Sequence, residues 1–262
     1  MLAFVPDSNR STMKVITPSA RIVGWRLTFC LALAGVLSCS PAADRPTPLA
    51  LNTPTNIAST ASAALVPLIL KLPDAAFKGT PPELKVEPNV EPYSDKDRPP
   101  MLVPAGLKNI ALGAKLTASD TNAAPESLIK ITDGDKEAGE QSVIYFRKGT
   151  QWAQMDFGSP QEIFAIVIWH AHNTAKVYHD VIVQAADNAD FTQGVKTLFN
   201  NDQDNSSKLG VGTDREYFET RQGKLINANG TRARFLRFYS KGSTESALNE
   251  YTEIEVYGRP AK

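Results

Sequence analysis

Residues 162–170 read Glu162-Ile163-Phe164-Ala165-Ile166-Val167-Ile168-Trp169-His170, and this run decides the fold. In an extended chain Ile163, Ala165, Val167 and Trp169 fall on one face, and Phe164, Ile166, Ile168 and His170 on the other. Both faces are apolar until the last residue, so the segment is predicted to run through the middle of a pair of packed sheets. Val181-Ile182-Val183 behaves similarly. Glu253 and Glu255 instead alternate with Ile254 and Val256, the pattern of a strand with one wet face. Around these runs, short β-branched or aromatic stretches recur between Gly, Asn and Asp clusters, the rhythm of a sandwich or barrel. The predicted strands are 142–147, 151–157, 162–170, 180–186, 196–200, 215–220, 232–240 and 250–258. No long stretch carries helical periodicity.

Upstream the composition changes. Residues 21–39 combine Arg21 and Arg26 with an apolar run from Leu27 to Leu37 and end in Ser38-Cys39, the layout of an export signal. The run is shorter than the roughly 20 apolar residues a spanning helix needs. Val36-Leu37-Ser38-Cys39 resembles a bacterial lipobox, which implies acylation of Cys39 and a membrane partner reached through lipid. Ser40 follows in place of Asp, which by the same resemblance implies the outer membrane. Met13 offers an alternative start that leaves Lys14, Arg21 and Arg26 as the basic region. Residues 40–104 hold most of the chain's 18 prolines and only Phe77 and Tyr93 as aromatics, too little apolar surface to order a core. They read as a spacer in extended geometry. The proline-broken run Ala64–Pro73 suits either an arm lying on a domain or a sticky unstructured stretch. The expected organisation is therefore a signal region 1–39, a linker or arm 40–104, a β domain 105–258 and a tail 259–262.

With 28 basic and 28 acidic side chains the net charge is +0, so nothing in the global electrostatics draws the chain to nucleic acid. Two cysteines cannot make a disulfide scaffold. Cys30 is expected to leave with the signal, and Cys39, by the lipobox resemblance, to carry lipid.

Six landmarks in order carry a family resemblance: Asn109-Ile110-Ala111-Leu112-Gly113, Thr117-Ala118-Ser119, Thr132-Asp133-Gly134-Asp135, Trp152 to Gly158, Ile163 to Ile168, and Tyr251 to Gly258. Residues 107–258 thereby resemble discoidin domains, also called F5/8 type C or galactose-binding-like domains. The resemblance implies an all-β, eight-stranded antiparallel jelly-roll sandwich. It also implies binding of a glycan or lipid headgroup, with no chemistry. By motif match a structural Ca²⁺ would be held by Asp133, Asp135 and Glu253, with carbonyl oxygens near Lys130. Calcium wants several hard oxygens, and carboxylates flanking a glycine can turn toward one ion. A plain Asp-Gly turn beside a solvated Glu253 is the alternative.

All three histidines lie in 169-WHAHNTAKVYHD-180, a connection that the resemblance places at the ligand-binding end. Trp169 and Tyr178 would offer aromatic faces to a sugar ring, while His170, His172, Asn173, Lys176 and His179 would bond its hydroxyls, and Arg147, near a strand end, would contact a ligand carboxylate. Trp169 shares a strand face with Val167, so a core position is the competing reading. His170 and His172 also stand one residue apart on one side of a strand, and with His179 or Asp180 would suit Zn²⁺ or Cu²⁺. Asp202-Gln203-Asp204-Asn205-Ser206 opens like an EF-hand loop, but Ser207 replaces the turn glycine and Thr213 the bidentate glutamate, so a solvated acidic turn is expected. No nucleophile elbow, phosphate loop or His-Glu-x-x-His helix is present. The sequence thus points to a non-catalytic, envelope-anchored module for a cell-surface or extracellular carbohydrate. The alternatives are an assembly module for another envelope protein or a histidine-based metal binder.

Overall fold

A computed structural model of the chain describes residues 64–78 and 87–262. The export segment with Cys39, and residues 40–63 and 79–86 of the expected linker, lie outside the described residues.

Ten strands are present among the described residues: β1 (Leu65–Pro67), β2 (Leu102–Pro104), β3 (Lys108–Asn109), β4 (Lys115–Ala118), β5 (Ile144–Phe146), β6 (Gln151–His170), β7 (Ile182–Ala186), β8 (Lys196–Asn200), β9 (Lys224–Ser240) and β10 (Asn249–Pro260). The helical content there is two 3₁₀ turns, Pro125–Thr132 and Glu140–Ser142. The eight strands β3 to β10 pair antiparallel in the order β3-β10-β6-β9-β7-β8, with β4 on β6 and β5 on β10. This is the expected antiparallel jelly-roll sandwich.

The long strands β6 and β9 join its layers. The first half of β6 lies between β4 and β9, and its second half lies between β10 and β9. The register shifts between Asp156 and Gln161, where Gly158 has a φ of +76°. Gly158-Ser159-Pro160 therefore bend the strand without ending it, and the two strands expected at 151–157 and 162–170 are one. Residues 162–170 are its buried half. Ile163, Ile166 and Ile168 join Met155, Leu236, Phe238, Ile254 and Val256 in the core.

Residues 215–220, expected as a strand, form only isolated bridges, Glu216 with Val90 and Phe218 with Val177. Their partners explain this. Backbone amides buried beside a sandwich must be paired, and here the pairing is split between the 176–177 stretch of the domain and the chain upstream of it. Val90 is buried. Glu91 N donates to Glu216 O at 2.7 Å, and Arg98 donates to the carbonyls of Gly223 (2.7 Å) and Gln222. Asp97 pairs with Arg221 (2.6 Å) and Glu91 with Lys224 (2.5 Å). Tyr93 packs edge-on to Phe218 at 6.1 Å and lies 6.3 Å from Phe77. β1 pairs with β2 as a small ribbon. The boundary expected at residue 105 is therefore not a structural one. Where it is described, the proline-rich segment is an arm that packs on the domain.

Candidate functional site

Asn249 at the start of β10 gathers one end of the sandwich. Its Oδ1 accepts the Ser240 hydroxyl (2.8 Å) and the Gly242 amide (2.9 Å), and its Nδ2 donates to the carbonyls of Arg147 (2.7 Å) and Gly149 (2.9 Å). Nearby, His179 N donates to Gly242 O and Lys241 N to His179 O, while Val181 N donates to Asn201 Oδ1. The loops at 147–150, 171–181, 201–206 and 241–248 therefore meet at one end.

Five of the residues expected to face a ligand there are interior, Lys176 among them in a buried pair with Glu250. Trp169, His170, His172 and Tyr178 are each 0% exposed. Trp169 donates its indole N–H to Arg221 O at 2.9 Å, and the Lys136 ammonium lies 5.0 Å from its ring. Tyr178 donates to Glu250 (2.7 Å), which Lys176 also meets at 2.9 Å, and burial pushes its phenol far above the ordinary tyrosine range. Tyr178 stacks on His170 at 4.2 Å, and His170 Nδ1 contacts Glu219 at 3.0 Å. His172 Nε2 lies 2.8 Å from Lys136 O. Tyr178 and Trp169 are thus core residues with satisfied polar handles, the usual condition of buried Tyr and Trp. Each imidazole uses one ring nitrogen on a different partner, while His170 Nε2 and His172 Nδ1 are buried without one; among the described residues no histidine belongs to a group of three ligand atoms within 4.8 Å of one another.

Asn173 and Arg147 are exposed. Arg147 is partly engaged, because its Nε meets Asp120 Oδ1 at 2.7 Å and its amide donates to Asp120 Oδ2 at 2.6 Å. Burial works against the Asp120 carboxylate, but the amides of Arg147 and Asn122 and the Arg147 guanidinium outweigh it and hold its pKa below the ordinary value.

His179 differs from the other two histidines. It is partly exposed and lines a cleft of about 410 Å³ with Asp180, Asn201, Asp204, Glu216 and Lys241. Its Nδ1 lies 2.8 Å from Glu216 Oε1. That hydrogen bond raises the imidazole pKa against the opposing effect of burial. Asp180 takes the Ser206 hydroxyl at 2.6 Å, with Lys241 at 3.4 Å, and has a φ of +50°. Asn201 is 2% exposed, and its Nδ2 has no partner.

The turn expected to be solvated is in part interior, since Asp202 is fully buried. Its two oxygens accept the amides of Ser206 and Ser207, both at 3.0 Å. Asp180, Asp202 and Asp204 bring carboxylate oxygens within 4.8 Å of one another, but the Lys241 ammonium already sits on Asp180. Two larger clefts, about 640 and 560 Å³, follow the seam between the arm and the 217–225 turn. There Arg98, Arg221 and Gln222 spend their polar groups on holding the arm.

The Asp-Gly loop reaches β10 through Gly134, whose amide meets Glu253, but Asp133, Asp135 and Glu253 do not form a group with ligand atoms within 4.8 Å of one another; among the described residues that group is Asp180, Asp202 and Asp204. Glu253 is fully buried. Its Oε2 accepts the Gly134 amide at 3.1 Å, and its Oε1 has no partner. Burial pushes its carboxyl up to about 9. Asp133 Oδ1 accepts the Asp135 amide, and Asp135 accepts the Ser142 hydroxyl at 2.8 Å. The unpartnered Oε1 of Glu253 is the one feature here that a hard cation would answer, while Asp133 and Asp135 are engaged within their own loop and with Ser142.

Asn201, Glu216 and Lys241 were not singled out by sequence reasoning. Lys241 carried a weak signal as the residue just before a glycine turn, but Asn201 and Glu216 are distant in sequence from the histidine run and carried none.

No family model matches the chain, and no curated protein matches it. Among solved structures, chitosan-binding module 1 of a chitosanase/glucanase from Paenibacillus sp. IK-5 is 17% identical with a TM-score of 0.40, covering 58% of this chain and 99% of the module. The CBM32 of AlyQ, solved with 4,5-unsaturated mannuronic acid, is 15% identical with a TM-score of 0.38, covering 54% of this chain and 92% of that one. A fucose binding module of Streptococcus pneumoniae, SpX-3, is 17% identical with a TM-score of 0.38, covering 58% and 98%. The strand pairing, not these low-scoring likenesses, defines the fold of the chain.

Proposed function

We propose that the loop end is a non-catalytic binding site for a carbohydrate, seated in the cleft between His179, Asp180, Asn201, Glu216 and Lys241. The observation that carries this reading is Asn201, a buried amide with an unpartnered Nδ2 in the wall of a cleft lined by polar side chains. A buried donor without an acceptor costs about 1–3 kcal/mol, and a ligand oxygen removes that cost. Asp180, Asp204 and Glu216 accept, while Lys241 and Asn201 donate. A sugar hydroxyl does both, so one kind of group satisfies the whole surface. No aromatic platform lines the cleft, so binding is shallow and rests on hydrogen bonds. In this reading Ca²⁺ at Asp133, Asp135 and Glu253 is structural. It would pin the loop whose Lys136 carbonyl meets His172. Export, lipidation at Cys39 and residence in the cell envelope, at the outer membrane, complete the proposal, which places the module on a surface exposed to extracellular or cell-wall glycans.

The test is retention of the full mature chain on a carbohydrate array, beside His179→Ala and Lys241→Ala. Loss of one charge-assisted hydrogen bond is expected to weaken retention by about tenfold with the melting temperature little changed. A wild-type chain that retains no carbohydrate overturns the reading.

A further inference from the structure

Glu216 stands in the cleft wall, yet it belongs to a segment with no ladder of its own. On one side its backbone is paired by the arm: Glu216 N donates to Asn89 O at 3.1 Å, and Glu91 N donates to Glu216 O at 2.7 Å. On the other side Glu219 N donates to Lys176 O at 2.9 Å. Arg215 fastens the same stretch by donating to the carbonyls of Pro88 (3.2 Å) and Val90. The side chains continue the pattern. Asn89 Nδ2 donates to Glu216 Oε2 at 3.1 Å, and Glu216 Oε1 is left for His179 Nδ1 at 2.8 Å. Asn89 itself lines the cleft.

We infer that Asn89 is a positioning residue of the ligand site: it fixes the Glu216 carboxylate and, through it, the His179 ring, so the arm and the β domain build the binding surface jointly. The inference rests on the cleft being the carbohydrate site. A glutamate has several rotamers of similar energy, and holding one costs side-chain entropy that a second hydrogen bond offsets. With Asn89 gripping one carboxylate oxygen, the other is presented to the imidazole at a set angle. Without it, Glu216 is free to turn toward water, and the ring loses the acceptor that orients it. The groups that bear on His179 are Glu216, Asp180 and Lys241. Glu216 alone among them is held by the arm. A domain cut at residue 105 therefore lacks one wall of the site.

The experiment compares the full chain with Asn89→Ala, and with Glu216→Gln as reference. The ring titration of His179 is followed by NMR without ligand, and carbohydrate retention and melting temperature are measured alongside. In Asn89→Ala the His179 midpoint is expected to fall toward that of Glu216→Gln. Retention is expected to weaken by about tenfold, the loss of one hydrogen bond to a charged group, with the fold intact. A His179 midpoint unchanged from wild type overturns the inference. If wild type retains no carbohydrate, the site reading fails, while the midpoint, read without ligand, still decides whether Asn89 positions His179.

Discussion

Glu253 accepts the Gly134 amide at 3.1 Å with one carboxylate oxygen and buries the other without a partner. The loop and the last strand are thus joined through a carboxyl group that is half satisfied. An ion at about a hundredfold excess over its dissociation constant stabilises by about 2.7 kcal/mol, which for a domain of this size raises Tm by about 5–10 °C. Calcium added to chelated protein is expected to produce such a rise, and Glu253→Gln to abolish it. The pH dependence without metal has a definite sign. The folded carboxyl titrates near 9 against 4.5 for its ordinary value, so the favourable contribution of the neutral form is full below the lower value and fades as pH climbs toward the higher one. Chelated wild type should therefore lose stability between pH 5 and 9 more steeply than Glu253→Gln, as thermal melts would show.

Tyr178 distinguishes a core residue from a sugar platform. Its ring is stacked on His170 at 4.2 Å, and its hydroxyl is 2.7 Å from Glu250. Tyr178→Ala is expected to cost about 3–5 kcal/mol through the cavity it leaves. Tyr178→Phe should cost about 1–3 kcal/mol by removing a donor from a buried carboxylate. Denaturant unfolding measures both. Loss of glycan retention with stability untouched would return Tyr178 to the surface role that its residue type suggested.

The misplacements share a physical cause. Alternation identified β6 and β7 because burial on both faces leaves its mark within a few residues; in β10 it misled, because Glu253 and Glu255, expected on a wet face, are buried against the Gly134 amide and the Lys136 ammonium. Residue type could not say whether Trp169 and Tyr178 face ligand or core, because their deciding partners, Arg221 O and Glu250, stand 52 and 72 residues away. Residues 215–220 alternate like a strand but make only isolated bridges, with the arm at Val90 and with the domain at Val177. The arm looked like a spacer because its few anchoring side chains, Val90, Tyr93 and Arg98, are diluted among prolines. Gly158-Ser159-Pro160 reads as a turn in any one-dimensional view, and only the continued pairing of β9 past the bend shows that β6 goes on. In the site, His179 was legible as a polar residue in a loop. Glu216 and Asn89, which orient it, were not.

Asp120 tests whether Arg147 serves structure or ligand. Its buried carboxylate accepts the Arg147 amide at 2.6 Å and the Asn122 amide at 2.9 Å, and pairs with the Arg147 Nε at 2.7 Å. Because the folded pKa is depressed, the contribution is present above the unfolded value and lost as pH falls through the folded one. Asp120→Asn should destabilise by about 2 kcal/mol at neutral pH and by progressively less toward pH 3 in urea melts. Arg147→Ala, which keeps the backbone bonds, should cost well under half as much.

Two glycines with positive φ separate backbone strain from packing. Gly158 sits at φ +76° in the bend of β6, and a Cβ there meets nothing within 4 Å. Gly223 sits at φ +58°, but a Cβ there would come 2.7 Å from Ile168 O and 2.8 Å from the Trp169 ring. Alanine at 158 therefore bears only the left-handed penalty, about 1–2 kcal/mol. At 223 the same penalty is joined by a clash with backbone and an immobile indole. Gly223 also closes the turn that gives Arg221 O to Trp169 and its own carbonyl to Arg98. Gly223→Ala is expected to lose about 3 kcal/mol or more and to loosen the arm. Limited proteolysis should then cut within residues 87–104 faster than in Gly158→Ala, even at temperatures where both variants remain folded. Equal cleavage rates in the two would mean that the arm does not depend on this turn.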